Sequence, residues 1–456
     1  MNKYLALKKN IRMRKEINDA IIFSTEVNEV LSKIHRISLS QFNLLTLFNG
    51  NYSYDDIVNL IIKYKNAKHK DAVAFLNKII YEFSNYIIET NQPMLRNDLI
   101  VESNIKEVSE LSYVSPYRLK SPLSISLSLT KRCASFCKYC FTNGGTDAFE
   151  KEELSTYDIY KIIDESKEIG VSTIFITGGD PFVRADIFEI IKYAIDRNIE
   201  IGVSTKKILS KEEIIALKDT GIKKIQYSLD SSDDNICYDL IGIKEYSKNM
   251  IKVIEKTLGN NIEVSVNTVL TKNNIKSVPK LIEILDKLKI TCLYLSPYLR
   301  SLGRHSDNYL CDNEDHAELK KEIDEIRPSI KIDYLRPSYK QEKSYSSMQI
   351  CSGGKMSLSV LSNGEVTICE RALNRLLIIG NVTQSSLMDI WNSRKLYDIV
   401  EPNRKFYKSS ECYDCEKYTD CITKKGACYA RVLMVHNEMF NIDPSCPKSK
   451  DNIVLV

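Results

Sequence analysis

A chain of 456 residues is too long for one ordinary hydrophobic core, so two or three domains are expected, and 43% hydrophobic with 27% charged residues is a globular composition. A formal net charge of +4 gives no nucleic-acid footprint, no apolar run is long enough to span a bilayer, and residues 1–16 lack the apolar core of a signal peptide. The expected location is a reducing cytoplasm, where thirteen cysteines bind metal or carry chemistry rather than pair; none precedes Cys133, and seven fall from Cys351 onward.

Residues 1–95 read as a small unit without chemistry of its own. The alternation over 11–34 predicts two or three short strands, and helical spacing follows over 40–49, 53–64 and 70–88. Ser53 with Asp56 three residues on is an N-cap signal, and Asn49-Gly50 marks a break between helices. Strand, strand, helix, helix, helix is a winged-helix order. The line SLSQFNLLTLFNGNYSYDDIVNLI resembles the peptide-chaperone family of pyrroloquinoline quinone biosynthesis, which recurs as the leader-recognition domain of peptide-modifying enzymes. The resemblance implies that an extended leader peptide adds as a strand to an exposed sheet edge. DNA binding, the other use of a winged helix, needs a basic recognition helix; the third helix here mixes Lys78 with Glu82 and tyrosines.

Residues 96–120 read as a linker. A regular alternation then fills a domain over 121–310, with strands predicted at 122–130, 173–178, 199–205, 223–229, 262–269 and 291–297. Amphipathic helices are predicted near 155–169, 184–197, 210–220, 246–258 and 274–288. Six such units make an α/β fold, a partial (β/α)6 barrel, in which ligands bind at the carboxyl ends of the strands. Residues 311–456 are irregular and cysteine-rich, with a hairpin turning at Asn363-Gly364 and a helix over 386–400.

Directly after the first barrel strand stand Cys133, Cys137 and Cys140, spaced C-x3-C-x2-C. Three thiolates at the mouth of a strand can hold three irons of a [4Fe–4S] cube and leave the fourth open to chelate the amino and carboxylate groups of S-adenosylmethionine. A zinc knuckle is the alternative reading of an isolated triplet. The spacing and the trailing Phe141 resemble the radical S-adenosylmethionine superfamily, in which the reduced cube cleaves the cofactor to a 5′-deoxyadenosyl radical. The resemblance extends to Gly178-Gly179-Asp180-Pro181 after the second strand, where that family carries Gly-Gly-Glu-Pro against the methionine amino group; here an aspartate replaces the glutamate. It further implies cofactor contacts from Ser204, Asp230, Asn267 and Val269 at later strand ends. Leu302-Gly303-Arg304 resembles a Gly-Arg turn of the family, and no role follows for Arg304.

A second cysteine set runs Cys351-x12-Gly364-x4-Cys369, then Cys412-x2-Cys415-x5-Cys421-x6-Cys428 and Cys446. Together with NGEVTIC, IGNV at 379–382 and DIWNS at 389–393, it resembles the seven-cysteine auxiliary-cluster domain called SPASM, with six residues rather than three before Cys428. That resemblance implies one [4Fe–4S] cluster on Cys412, Cys415, Cys421 and Cys446. A second would rest on Cys351, Cys369 and Cys428, completed by Cys311, Cys292 or a substrate thiolate. One or two zinc sites are the alternative, and Cys237 reads as a packed thiol.

The order of leader-binding module, radical core and auxiliary domain resembles maturases of ribosomally made peptides. What it implies is an oxidoreductase that cross-links a precursor peptide held by its leader, with an electron donor such as flavodoxin or ferredoxin. The three-ligand auxiliary group favours a cysteine sulfur-to-carbon thioether, as in sactipeptide synthases. Carbon–carbon coupling, epimerisation and maturation of a folded protein, as for sulfatases, are the alternatives. A non-catalytic iron-sensing regulator would need neither Gly-Gly-Asp-Pro nor all three triplet cysteines.

Overall fold

A computed structural model describes residues 3–26, 34–103, 118–145, 153–301, 303–334, 351–371, 375–424 and 426–449. Much of the expected linker (104–117) and Leu302 lie outside the described residues. The chain divides into two compact units, Met1–Ser124 with Ser166–Thr173, and Ile125–Glu165 with Ile174–Val456.

In the first unit the elements run β1 (Tyr4–Leu7), β2 (Ile11–Lys15), β3 (Ala20–Ser24), β4 (Ile34–Ile37), α1 (Leu39–Leu45), β5 (Asn49–Ser53), α2 (Tyr54–Lys65), α3 (His69–Glu82) and β6 (Ile87–Thr90). They form two antiparallel sheets, ordered β5-β1-β6 and β2-β3-β4. Reciprocal capping boxes start two helices, Ser38 with Gln41 and Ser53 with Asp56. Leu7, Met13, Phe42, Leu45, Phe48 and Leu76 form one apolar core.

The order differs from the expected one at three places, the first being β1, which precedes the predicted strands. Asn49-Gly50 does separate two helices, but it does so by opening β5: Gly50 sits at φ +79°, and an added Cβ would lie 2.0 Å from the Met94 carbonyl oxygen. The third helix stops at Glu82, because Ile87 and Ile88 pair with Leu7 and Ala6 of β1. Residues 99–101 cover the outer side of β2, through Met13 N–H to Leu99 and Val101 N–H to Met13, which leaves β4 at the sheet's edge among the described residues. Arg14 on β2 is wholly buried; it donates to Glu16 at 2.8 Å and to the carbonyls of Gly170 (2.7 Å), Ser121 (3.0 Å) and Pro122 (3.2 Å).

The second unit is built on the predicted alternation. The six expected strands are β7 (Ser124–Ser128), β8 (Thr173–Thr177), β9 (Glu200–Thr205), β10 (Lys224–Ser228), β11 (Glu263–Leu270) and β12 (Cys292–Pro297), and they lie side by side in that order. The expected helices are α4 (Thr156–Glu168), α5 (Ile187–Ile195), α6 (Lys211–Asp219), α8 (Tyr246–Gly259) and α9 (Val278–Leu288); one more, α7 (Asp234–Ile241), was not expected. Asp233 caps α7, and Gly242 at φ +76° ends it. A further unit, α10 (Asn313–Ile326) and β13 (Lys331–Tyr334), adds a parallel strand beside β12. On the β7 side the sheet continues through β14 (Ser357–Val360), β15 (Glu365–Thr367) and β16 (Ile378–Asn381), the first two being the expected hairpin.

The predicted helix over 386–400 is two, α11 (Leu387–Trp391) and α12 (Arg394–Val400), because Ser393 caps the second. Two short helices, α13 (Tyr418–Lys424) and α14 (Tyr429–His436), follow.

The strands carry their functional surface by period. Most Ile, Val, Leu and Tyr positions of β8–β12 are buried, as at Ile225 and Tyr227, while Val269 and Tyr294 are half-buried. The alternate positions stay half-buried and polar: Thr177, Ser204, Gln226, Ser228, Asn267 and Ser296. Both faces are thus defined by the same two-residue repeat.

Candidate active site and auxiliary cysteine groups

The three triplet cysteines sit on a loop, 129–145, that leaves β7. Its stem is closed by Cys133 N–H to Gly145 (3.1 Å) and Gly145 N–H to Lys131 (3.2 Å), and its far side rests on α7, where Phe136 and Lys138 N–H groups donate to the Ile241 and Leu240 carbonyls. The unexpected helix therefore spends its free C-terminal carbonyls on the cysteine loop. Ser135 Oγ lies 3.2 Å from Cys133 Sγ and 3.5 Å from Cys137 Sγ, so two contact lengths at most separate those sulfurs. Cys140 Sγ has the Thr142 hydroxyl at 3.2 Å.

The Gly-Gly-Asp-Pro turn lies against the stem of this loop. Gly179 N–H donates to Thr130 (2.6 Å) and Asp180 N–H to Arg132 (2.9 Å). A Cβ on Gly178 would come 2.3 Å from the Thr130 oxygen, and one on Gly179 2.1 Å from the Arg132 oxygen. The glycines thus serve a close approach of two backbones. Asp180 is buried, and its carboxylate accepts from Thr205 Oγ1 (2.7 Å) and from the N–H groups of Phe182 (3.0 Å), Lys206 (2.9 Å) and Lys207 (3.0 Å). Burial pushes its pKa up, against the pull of these bonds. The carboxylate braces the end of β9 from behind.

Asp230 is a second buried hub. Its carboxylate accepts from the Tyr139 hydroxyl, from Lys206 Nζ (3.2 Å) and from Val269 N–H (3.0 Å), so it joins the cysteine loop to the ends of β9 and β11. Asn274 ties in through its amide, donating to the Asp230 carbonyl at 2.7 Å. Burial raises the Tyr139 hydroxyl well above its ordinary pKa, with the Asp230 charge adding to it. Burial likewise pushes the Cys137 thiol up to about 11, opposed by the Lys206 charge. Lys206 itself is pulled down by burial, but Asp230 and Cys137 outweigh that and its net shift is upward.

The other expected cofactor positions fall at the same strand ends. Ser204 and Asn267 lie on the half-buried face, Asn267 accepting from Ser296 Oγ at 2.8 Å, while Val269 spends its N–H on Asp230. Phe141 is half-buried, and its carbonyl lies where a Cβ on Gly303 would fall, at 2.4 Å. Arg304, without a role in the sequence, clasps the loop. Its N–H donates to Cys140 (2.9 Å), its Nε to the Cys137 carbonyl (2.9 Å) and its Nη2 to the Gly144 carbonyl, while its guanidinium covers the Phe136 ring at 4.0 Å.

The later cysteines form two groups. Cys351 and Cys428 stand near enough to raise each other's neighbour: burial lifts Cys369 to about 11, with the charges of Cys351 and Cys428 adding to it. Burial likewise lifts Cys412 to about 11, and Cys446, Cys421 and Cys415 add to it. Cys428 keeps its place despite the longer spacing before it. Buried Asp443 accepts its N–H at 2.7 Å, pairs with Arg431 at 2.8 Å, and accepts Cys446 N–H on its own carbonyl at 2.7 Å. Cys311 lies instead beside Asp315, Lys272 and Asp312, and Cys292 on β12 beside Tyr294 and Lys331. Cys237 is packed, its thiol on the Ser231 carbonyl. Glu370, next to Cys369 and unmarked in the sequence, hydrogen-bonds Ser126 and Thr177; burial pushes its carboxyl up. It brings an ionisable group to the half-buried polar face.

Residues 127–285 match the radical SAM superfamily, and residues 351–416 match SPASM, an iron-sulfur cluster-binding domain. A PqqA peptide cyclase of Bradyrhizobium diazoefficiens is 23% identical over 340 residues, which is 72% of this chain and 87% of that protein. The structure of Streptococcus suis SuiB bound to precursor peptide SuiA aligns over 97% of this chain and 100% of that chain, with a TM-score of 0.67 and 17% identity. Native anSMEcpe with bound AdoMet aligns over 71% of this chain and 94% of that one, with a TM-score of 0.53 and 16% identity. At such identities the structural likeness speaks for the fold.

Both matched domains bind [4Fe–4S] clusters, and the residues here fit them. Among the described residues no three His, Cys, Asp or Glu side chains converge tightly enough for one metal ion. The protonated thiols that burial favours give way once iron binds, since a coordinated thiol is deprotonated.

Proposed function

We propose that this radical SAM enzyme matures a ribosomally synthesised peptide, held by its leader, and installs a cysteine sulfur-to-carbon thioether. The observation that carries the peptide reading is the 97% alignment with a structure bound to a precursor peptide, which takes in the N-terminal unit as well as the barrel. The PqqA peptide cyclase likeness supports the same substrate class. Within the N-terminal unit β4 stands at its sheet's edge among the described residues, and an edge strand is what an extended leader extends.

The thioether is supported by the auxiliary groups: Cys351, Cys369 and Cys428 gather as three, while Cys292 and Cys311 have other neighbours. Joining a peptide thiol to a C–H carbon releases one hydrogen atom, one proton and one electron. When bound, S-adenosylmethionine on a reduced [4Fe–4S] cluster supplies the 5′-deoxyadenosyl radical that takes the hydrogen atom, and the auxiliary clusters supply an acceptor for the electron. The chain's own part is to hold and orient. Arg304 and Asp230 fix the triplet loop, the polar strand face offers hydrogen bonds to ligands, and we assign the role of thiol-proton acceptor to Glu370, which is hydrogen-bonded to Ser126 and Thr177.

The test is anaerobic co-expression with each short reading frame neighbouring the gene, followed by intact peptide mass. A thioether removes two hydrogens and one alkylatable thiol per link. Loss of two hydrogens with every thiol still reactive would move the assignment to carbon–carbon coupling. An unchanged mass with deuterium uptake at an α-carbon would move it to epimerisation. No change in any peptide, with cofactor cleavage intact, would favour a folded protein substrate.

A further inference from the structure

One buried charge in the C-terminal region has no carboxylate at ion-pair distance among the described residues. Lys355 follows Cys351 by four residues, in the turn before β14, and is 5% exposed. Among the described residues its ammonium meets a single acceptor, the Ile422 carbonyl at 3.0 Å, and no carboxylate at ion-pair distance. An ammonium has three donors, and burying it with one satisfied is costly unless negative charge stands close by. The negative groups facing it are Cys351 of one auxiliary group, Cys421 of the other, and Glu401. Ile422 is the residue after Cys421, so the hydrogen bond itself ties the Cys351 turn to the Cys421 helix. Gly426 at φ +70° faces the same ammonium, and a Cβ there would stand 3.7 Å from it.

We propose that Lys355 is an electrostatic bridge between the two auxiliary clusters, raising the reduction potential of both. The proposal rests on the reading of the two cysteine groups as cluster sites. A cluster gains one negative charge when it takes one electron, and a fixed positive charge beside it stabilises the reduced form. One ammonium serving two clusters draws both potentials up, so each holds an electron more readily than it would without the charge. Lys355 shares the turn of Cys351, its N–H donating to the Ser352 carbonyl, so the effect is expected to be larger on the cluster that Cys351 holds.

The experiment is a potentiometric titration with dithionite, followed by electron paramagnetic resonance, on reconstituted parent, Lys355→Met and Lys355→Arg. Iron per chain is counted first. Lys355→Met is expected to lower both auxiliary midpoints, by at least tenfold in the reduction equilibrium at the Cys351 cluster, or ~59 mV for one electron. Lys355→Arg keeps them near the parent, and the triplet cluster does not move in either variant. Unchanged auxiliary midpoints in Lys355→Met, or an equal drop in all three clusters, would overturn the proposal. Should Lys355→Met fail to hold auxiliary iron, retention by Lys355→Arg and loss by Lys355→Gln supports a need for the charge; loss by Lys355→Arg as well refutes it. A parent chain with iron for the triplet alone would overturn the cluster reading itself, a different result from clusters present and unshifted.

Discussion

Replacing Arg304 tests whether the triplet loop is held by the barrel or by its own turns. Arg304→Ala removes two guanidinium hydrogen bonds to loop carbonyls, at Cys137 and Gly144, and the stacking on Phe136. A hydrogen bond from a charged donor contributes about 1.5–3 kcal/mol, and a cation–π contact about 0.5–1 kcal/mol at an exposed site. Arg304 is half-buried, so water replaces part of this, and a net loss of about 2–3 kcal/mol is expected. That raises the population of open loop roughly 30- to 150-fold, because 1.4 kcal/mol is tenfold. The main-chain bond from residue 304 to Cys140 survives the change, so the loop loosens rather than detaches. The readouts are iron retained by the triplet after gel filtration and 5′-deoxyadenosine formed with dithionite in the absence of peptide. Both are expected to fall, while the auxiliary cluster signals stay at parent level. Arg304→Lys keeps the charge without the two-pronged geometry and should fall between. Parent-like iron and cleavage in Arg304→Ala would refute the clasp.

Cys133→Ala/Cys137→Ala/Cys140→Ala should abolish 5′-deoxyadenosine formation; persisting cleavage would sink the assignment of the triplet. Gly179→Ala drives a methyl to 2.1 Å from the Arg132 oxygen and 2.6 Å from the Lys131 oxygen. Backbone cannot swing aside as a side chain does, so about 2–4 kcal/mol of local overpacking and lost hydrogen bonding is expected, seen as loss of triplet iron. Glu370→Gln should keep uncoupled cofactor cleavage and lose product, measured by peptide mass; full product would exclude it as the proton acceptor. Arg14→Met leaves Glu16 charged and buried and should cost about 3–5 kcal/mol, read as a lower urea midpoint, with Arg14→Met/Glu16→Gln recovering part of it.

The barrel was legible in the sequence because its units are long and each changes period, from two in a strand to 3.6 in the helix that follows. The short elements were not. NGNYS is polar enough to read as a turn and becomes β5 only because β1 and residues 94–96 are there to pair with it. Ile87 and Ile88 continue the helical spacing of α3, and only the partner strand decides otherwise. Ser393 and the pair Asp233 and Gly242 are, in contrast, local cap signals that the sequence reading passed over.

In the site, cysteine spacing and Gly-Gly-Asp-Pro pointed to the right loops, since chelation and close backbone approach restrict residue type. Most of the side chains that hold those loops carried no such mark. Arg304 was marked by its Gly-Arg turn, but without a role. Lys206, Lys355 and Arg431 are three of 64 lysines and arginines, and nothing in their neighbours along the chain separates them from solvated charge. Tertiary burial does so: Lys355 is 5% exposed, and Asp443 is 4%.

The placement of these buried charges has a common logic. A buried charge lowers stability unless its hydrogen bonds are complete, so it persists where the geometry it imposes is needed. Asp180 and Asp230 are complete: each accepts from several donors at the ends of separate strands. Asp443 likewise joins Cys428 to the Cys446 turn through Arg431 and two backbone groups. Such hubs tie the cysteine loops to the strand ends by hydrogen bonds to side chains and main chain alike. Lys355 is the exception, with one acceptor for three donors. Its charge is met by Glu401 and, when the cysteines beside it hold iron as thiolates, by both auxiliary groups.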